Sequence, residues 1–253
     1  MPVATIRRLQ KALATEAEIY TPYGATECLP VASVSGTELN EEVEQRTADG
    51  EGTCIGRPVA PNSVKIIPVT DTALASFDQT VGLPIGITGE IVVHGPTSTD
   101  MYWDRDEQTH LAKIRDADNR IWHRMGDAGY FDEKGRLWYC GRKSQRVVNA
   151  ESTLYADQVE AIFNVHPEVA RTALVGIGHF GYQEPVLCVE LLNKCSNHRK
   201  ERIRVDLMQI GRNNVATKSI KRILFHKSFP VDIRHNAKIG REKLAIWAAD
   251  QLS

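Results

Sequence analysis

The stretch from Trp122 to Val148 constrains this chain most. Trp122 to Met125 is strand-like and runs into Gly126-Asp127, so an acid follows a residue at which the backbone can turn sharply. Tyr130-Phe131 gives way to Asp132-Glu133-Lys134-Gly135, a hairpin turn with glycine at its end. Leu137 to Cys140 returns as a β-rich run and stops at Gly141-Arg142. The hairpin predicts an exposed carboxylate, Asp127, and an exposed guanidinium, Arg142, near each other at strand ends. A carboxylate so placed accepts two hydrogen bonds from a vicinal diol, and a guanidinium offers donors in a fixed fork. An ordinary hairpin with a solvent ion pair fits the same residues.

The remaining chain supplies enough residues for two cores. At 253 residues it holds one large domain or two ordinary ones. Its net charge of −1 gives no field for nucleic acid or anionic lipid. Cys28, Cys54, Cys140, Cys188 and Cys195 are scattered without a C-x-x-C pair, which suits reduced thiols in a cytoplasm rather than a disulfide frame or a zinc site. No apolar run approaches the ~20 residues of a membrane span. No internal repeat and no low-complexity tract is read.

In order, Ile6, Leu9 and Leu13 predict a helix between Pro2 and about Glu16. A strand over Glu18–Thr21 leads into Pro22-Tyr23-Gly24-Ala25-Thr26-Glu27, where small residues let the backbone approach a ligand and a hydroxyl precedes a carboxylate. Threonine can hydrogen-bond a phosphate and glutamate can hold Mg²⁺, although a plain strand-to-loop turn explains the residues as well. The acidic stretch 39–52 reads as a solvated loop. Strands are expected at Val64–Val69 and Gly89–Gly95, Met101-Tyr102-Trp103 as core packing, and 105–118 as a solvent-facing helix or loop. Beyond a polar linker at Lys143-Ser144-Gln145, apolar spacing predicts helix–strand–strand–helix–strand–helix, a compact α+β domain. The ten Lys and Arg between Lys194 and Lys227 read as the solvated face of a helix and a strand rather than a nucleic-acid surface. Lys238 lies in a polar turn before the closing helix.

Taken together, these segments resemble the adenylate-forming superfamily of acyl-CoA synthetases, luciferases and nonribosomal adenylation domains. Tyr23-Gly24-Ala25-Thr26-Glu27 is similar to its Y-G-x-T-E motif. Gly89-Glu90 followed by Tyr102-Trp103 resembles its G-E segment ending in Y-W, Gly126-Asp127 and Gly141-Arg142 its ribose-binding pair, and Asn236-Ala237-Lys238-Ile239 its terminal G-K-I. The run Thr21–Pro30, with His235-Asn236-Ala237-Lys238, resembles in particular one branch, the β-lactone synthetases of bacterial long-chain olefin biosynthesis.

The resemblance implies an α+β/α/β fold. Residues 1–140 would be the mostly β end of a large nucleotide- and acyl-binding domain, 141–145 a hinge, and 146–253 a small mobile C-terminal domain. It implies an enzyme, an AMP-forming ligase or synthetase of the cytoplasm, with ATP and Mg²⁺ as cofactors. A fatty or β-hydroxy fatty acid would be activated as acyl-adenylate with pyrophosphate release and then closed to a β-lactone. In the implied site Tyr23 and Gly24 lie at the nucleotide or acyl group, Thr26 contacts the α-phosphate and Glu27 holds Mg²⁺. Asp127 accepts the ribose hydroxyls with help from Arg142, and Lys238 bridges carboxylate and phosphate. Two departures bear on the second step. In thioester-forming members the segment after Gly141-Arg142 reads roughly I-K-x-x-G, whereas Val148 stands here for the lysine and Glu151 for the glycine. Ser144 stands where a hinge Asp or Lys is usual. A fatty acyl-CoA ligase and a catalytically silent interaction module are the alternatives. Nothing here reads like the family's Gly-rich phosphate loop, so the chain is expected to correspond to the C-terminal half and to adenylate poorly alone. Self-association through uncovered sheet edges, or binding to pathway enzymes, is expected to follow.

Overall fold

The computed structural model describes residues 3–14, 16–76, 82–232 and 238–252. The chain folds as two compact units, Met1–Arg46 with Gly52–Lys143, and Thr47–Glu51 with Ser144–Ser253.

The first unit is built on one antiparallel sheet. Its strands are β1 (Tyr20–Ala25), β2 (Cys28–Ser35), β3 (Thr53–Pro58), β4 (Ser63–Ile67), β5 (Gly89–His94), β6 (Lys113–Arg115), β7 (Ile121–Phe131) and β8 (Leu137–Arg142). They run in the order β1-β2-β3-β8-β7-β5-β4, with β6 also paired to β7. Alternate residues of β5 enter different clusters: Ile91 and Val93 join Cys28, Val31, Met125 and Leu137, whereas Val92 joins Ile67, Ile114 and Trp122. A strand covered on both faces reads as an unbroken apolar run, which is why β5 was visible in the sequence.

Two turns at the ends of β7 use one device. Asp116 Oδ1 accepts from the backbone N–H of Asp118 (3.1 Å) and Arg120 (2.9 Å), and its Oδ2 from Arg120 Nε (2.7 Å) and Trp122 Nε1 (3.1 Å). Asp132 repeats this with Lys134 N (3.0 Å), Arg136 N (2.8 Å), Arg136 Nε (2.7 Å) and Trp138 Nε1 (2.9 Å). The fourth turn residue has positive φ in both, Asn119 at 60° and Gly135 at 71°. Although burial opposes it, this donor set holds both carboxyls down at about 2. The expectation of no internal repeat is therefore corrected: D-x-x-[N/G]-R-x-W occurs twice, and β7 is clasped at both ends.

Other local expectations change as well. Residues expected as an acidic loop form a helix, α2 (Glu41–Ala48), after α1 (Val3–Gln10). Asn40 Oδ1 caps it by accepting from Val43 N at 3.1 Å, three glutamates occupy its first turn, and Val43 is buried. The aromatic patch is not core: Trp103 is 89% and Met101 62% exposed, and Tyr102 alone turns inward. The charged stretch 105–118 holds α3 (Asp106–Ala112) and then β6, which buries Lys113 and Ile114.

The second unit places a three-stranded sheet between helices. The strands are β11 (Val169–Ile177), β12 (Glu184–Leu191) and β13 (Arg222–Phe225), after the two-residue pair β9 (Val147–Val148) and β10 (Thr153–Leu154). β11 and β12 are antiparallel, and β12 and β13 parallel. The helices are α4 (Ala156–Asn164), α5 (Asn197–Asn213) and α6 (Arg241–Leu252). Leu174, Leu187, Val189 and Ile223 pack with Val159, Phe163, Ile203 and Leu207 of α4 and α5, while Ala173, Val175, Val186 and Cys188 pack with Leu244 and Ala248 of α6. The expected element order is observed, and the mixed α/β class holds for the chain.

Candidate functional site

Asp127 occupies the middle of β7. Gly126 before it has φ of 67° with nothing within 4 Å of a built Cβ, so the backbone conformation rather than crowding calls for glycine. Register slips beside it against both β5 and β8, a bulge that re-aims the following side chain. Asp127 pairs across the ladder with Arg142, whose Nε lies 3.2 Å from its Oδ1. The predicted nearness of acid and guanidinium is thus observed, but the predicted exposure of the acid is not. Asp127 is 4% exposed, because it sits mid-strand under Tyr23, whose hydroxyl donates to its Oδ2 at 2.6 Å. Arg142 ends its strand with a half-exposed side chain.

The Arg142 contact is close enough for charge attraction, yet Asp127 Oδ1 receives no hydrogen bond. A buried carboxylate oxygen without a donor costs on the order of 1–3 kcal/mol, and a ligand hydroxyl would remove that cost. Burial raises the Asp127 carboxyl above the ordinary aspartate range, against the lowering effects of Tyr23 and Arg142; nearby Glu90 adds to the rise. The same burial, with the Asp127 charge, drives the Tyr23 phenol strongly upward, so Tyr23 is a fixed neutral donor. Beneath the site Glu90 is fully buried, with Arg124 Nη2 2.6 Å from Oε2 and Lys143 Nζ 2.9 Å from Oε1. Arg124 bonds the carbonyls of Thr70 and Thr72, and Lys143 that of Thr70, which ties a loop to the sheet.

The turn between β1 and β2 carries the other two residues of this unit. A Cβ on Gly24 would meet the Cys28 carbonyl oxygen at 2.5 Å, so this glycine serves a close approach within the hairpin. Thr26 is exposed at the turn. Glu27 Oε1 accepts from the Tyr102 hydroxyl at 2.8 Å, and its carbonyl accepts from Thr99 N at 2.8 Å. Burial would raise its carboxyl, but Tyr102, its own backbone N–H, His123 and Lys113 hold it low. Lys113 Nζ donates to Thr99 Oγ1 at 3.0 Å and lies 5.7 Å from the Tyr102 ring. His123, 2% exposed and pushed down to about 4 by burial and the Lys113 charge, has no partner on Nδ1. Among the described residues no three His, Cys, Asp or Glu gather as a metal cluster, and Glu27 is the carboxylate carried by the turn. That suits Mg²⁺, which is commonly held by one or two carboxylates together with substrate phosphates.

The structure therefore gathers Tyr23, Asp127 and Arg142, and sets Thr26 and Glu27 on the adjoining turn. Lys238 belongs to the second unit, exposed, with its carbonyl accepting from Asp232 N at 3.0 Å. His235, Asn236 and Ala237 of the motif lie outside the described residues. Sequence reasoning did not place Lys113 and His123 beside Glu27, and it read Tyr102 only as part of a motif and of an aromatic patch. Tyr102 was hidden among exposed aromatics, and only the polar run around Lys113 could have pointed to a buried cation.

The chain as a whole is similar to known proteins. The AMP-binding enzyme family matches residues 1–103. The olefin β-lactone synthetase of Xanthomonas campestris pv. campestris is 51% identical over 99% of this chain and 46% of its own length. That of Stenotrophomonas maltophilia is 52% identical over 99% of this chain and 45% of its own. The chain spans less than half the length of these curated relatives. O-succinylbenzoate coenzyme A synthetase from Bacillus subtilis, solved with AMP, shares the fold with a TM-score of 0.69 and 19% identity over 96% of this chain and 43% of that one. This chain belongs to the AMP-binding, adenylate-forming superfamily of ligases and synthetases.

Proposed function

We propose that this chain contributes the sugar clamp, the metal carboxylate and the mobile lysine of an enzyme that activates a β-hydroxy fatty acid with ATP and then closes it to a β-lactone. The observation that carries the proposal is the buried, donor-less Oδ1 of Asp127 beside Arg142. Asp127 takes the ribose diol, with Tyr23 holding the other carboxylate oxygen, so the acid is oriented before nucleotide arrives. Thr26 would contact the α-phosphate and Glu27 would hold Mg²⁺. Mg²⁺, when bound, offsets phosphate charge so that an anionic carboxylate can approach phosphorus. Lys238 supplies the second positive charge, bridging the substrate carboxylate and the α-phosphate. Carriage of that lysine on a small domain lets closure exclude water before the reaction.

For the second step, Glu151 is exposed at the tip of the β9–β10 hairpin, its N–H held by Asn149 Oδ1 at 2.9 Å. A bulky acid where thioester-forming relatives carry glycine argues against passage of a pantetheine arm, and favours attack by the substrate's own hydroxyl. The test is incubation of the protein, as its reading frame encodes it, with ATP, Mg²⁺ and β-hydroxy, unsubstituted and aryl acids, with and without coenzyme A. Pyrophosphate and a β-lactone from the β-hydroxy acid are expected without coenzyme A. A thioester as the only product would select the ligase reading, and no pyrophosphate under any condition would select the silent module.

A further inference from the structure

The second unit holds a buried ion pair that the proposed reaction does not use. Glu160 on α4 and Arg241 at the start of α6 have side chains only 11% and 14% exposed. The guanidinium is bidentate: Nη1 donates to Oε1, and Nη2 to Oε2 at 2.9 Å. Its Nε donates to Gln145 Oε1 at 3.0 Å, and Glu160 Oε1 also accepts from Leu174 N at 2.8 Å. One side chain thus joins α6 to α4, to β11 and to the turn that opens the unit.

Arg241 is also three residues beyond Lys238, and the short stretch between them is clamped. Gly240 N donates to Pro230 O at 2.7 Å, Asp232 N donates to Lys238 O at 3.0 Å, and Val231 bridges Ile239. Fold stability alone gives no reason for a buried pair here, since apolar side chains of similar volume are often as stabilising. A forked, multiply bonded guanidinium does fix direction, which a greasy contact does not.

We infer that Arg241 is a positioning residue for Lys238: anchored by Glu160 and Gln145, it sets where the short stretch that carries the lysine sits on the unit. This rests on Lys238 being the adenylation lysine. Groups facing Glu160 are Arg241 from α6, Leu174 N from β11 and Asp157 on its own helix, with the Cys188 thiol of β12 near both members of the pair. Burial pushes the Glu160 carboxyl up to about 7 despite Arg241, so acidification discharges one side of the anchor.

The experiment is ATP–pyrophosphate exchange between pH 6 and 9 on the protein as its reading frame encodes it, for wild type, Arg241→Lys, Glu160→Gln, Lys238→Ala and the variant carrying both Arg241→Lys and Lys238→Ala, with thermal unfolding of each. Arg241→Lys keeps the charge and loses the fork; it is expected to remain folded and lower kcat roughly 10- to 100-fold, with KM for ATP unchanged and no further loss in the Lys238→Ala background. Glu160→Gln is expected to flatten a wild-type decline below about pH 7. Wild-type kcat in folded Arg241→Lys, an undiminished extra loss without Lys238, or an unaltered pH profile in Glu160→Gln would overturn the inference. The last still decides if Arg241→Lys does not fold. Full activity in Lys238→Ala is the separate result that removes the underlying reading of the lysine.

Discussion

Asp127, the proposed sugar clamp, and Lys238, the proposed adenylation lysine, present their charges in opposite ways. Asp127 is buried at mid-strand, oriented by Tyr23, backed by the Glu90 ion cluster, and carried on a strand clasped at both ends by matching Asp–Arg–Trp turns. Lys238 is exposed just ahead of α6, held through its backbone and, by our inference, through Arg241. The clamp is preorganised and carries the cost as an unpaired buried acceptor. Lys238 is left exposed, so the proposed reaction would draw its ammonium from solvent with a desolvation cost only on arrival. Under the proposed function, the group that waits in place is built into a sheet and the one that arrives is left at a surface.

The contrast breaks most sharply at Lys238. Lys238→Ala should cut the rate of adenylate formation by about 10²- to 10³-fold while leaving nucleotide binding and the unfolding temperature unchanged. Measured ATP affinity that falls in parallel would mean that the lysine is part of the resting site. Asp127→Asn should act the other way, weakening ATP about 10- to 100-fold with kcat largely kept. Since the carboxyl is raised by burial, its ionised, hydrogen-bond-accepting form is complete only at higher pH. ATP affinity of wild type should therefore fall as pH drops through a value above that of an ordinary aspartate, and Asp127→Asn should lack this dependence. A smaller effect tests the clasps. Asp132→Ala strands the buried Trp138 N–H and Arg136, and should lower stability by about 1–3 kcal/mol in denaturant unfolding. Asp116→Ala should cost less, its Arg120 being half exposed. Equal costs would deny that burial of the partners separates the two turns.

Much of this was legible in the sequence where a pattern is local. The hairpin at Asp132–Gly135, the apolar strand at Ile91–Val93 and the Ile203–Leu207 stripe all appear at their predicted places, because neighbours along the chain decide them. The helix over Glu41–Ala48 was missed because its apolar face is a single residue, Val43, and its capping by Asn40 resembles turn composition. The strand Cys28–Ser35 was obscured by Pro30. Burial of Asp127 was illegible, since it depends on Tyr23, more than a hundred positions away. The twin turns were written plainly as Asp-x-x-x-Arg-x-Trp, but their meaning lies in side-chain bonds that no spacing rule describes.

The most direct test of the sugar clamp is the affinity of the protein for AMP set against 2′-deoxy- and 3′-deoxy-AMP, by titration calorimetry, in wild type and Asp127→Asn. If the Asp127 carboxylate takes the diol, wild type should bind each deoxy nucleotide about tenfold or more weakly than AMP, and Asp127→Asn should bind all three alike. Equal binding of the three by wild type, or discrimination that survives in Asp127→Asn, would contradict it.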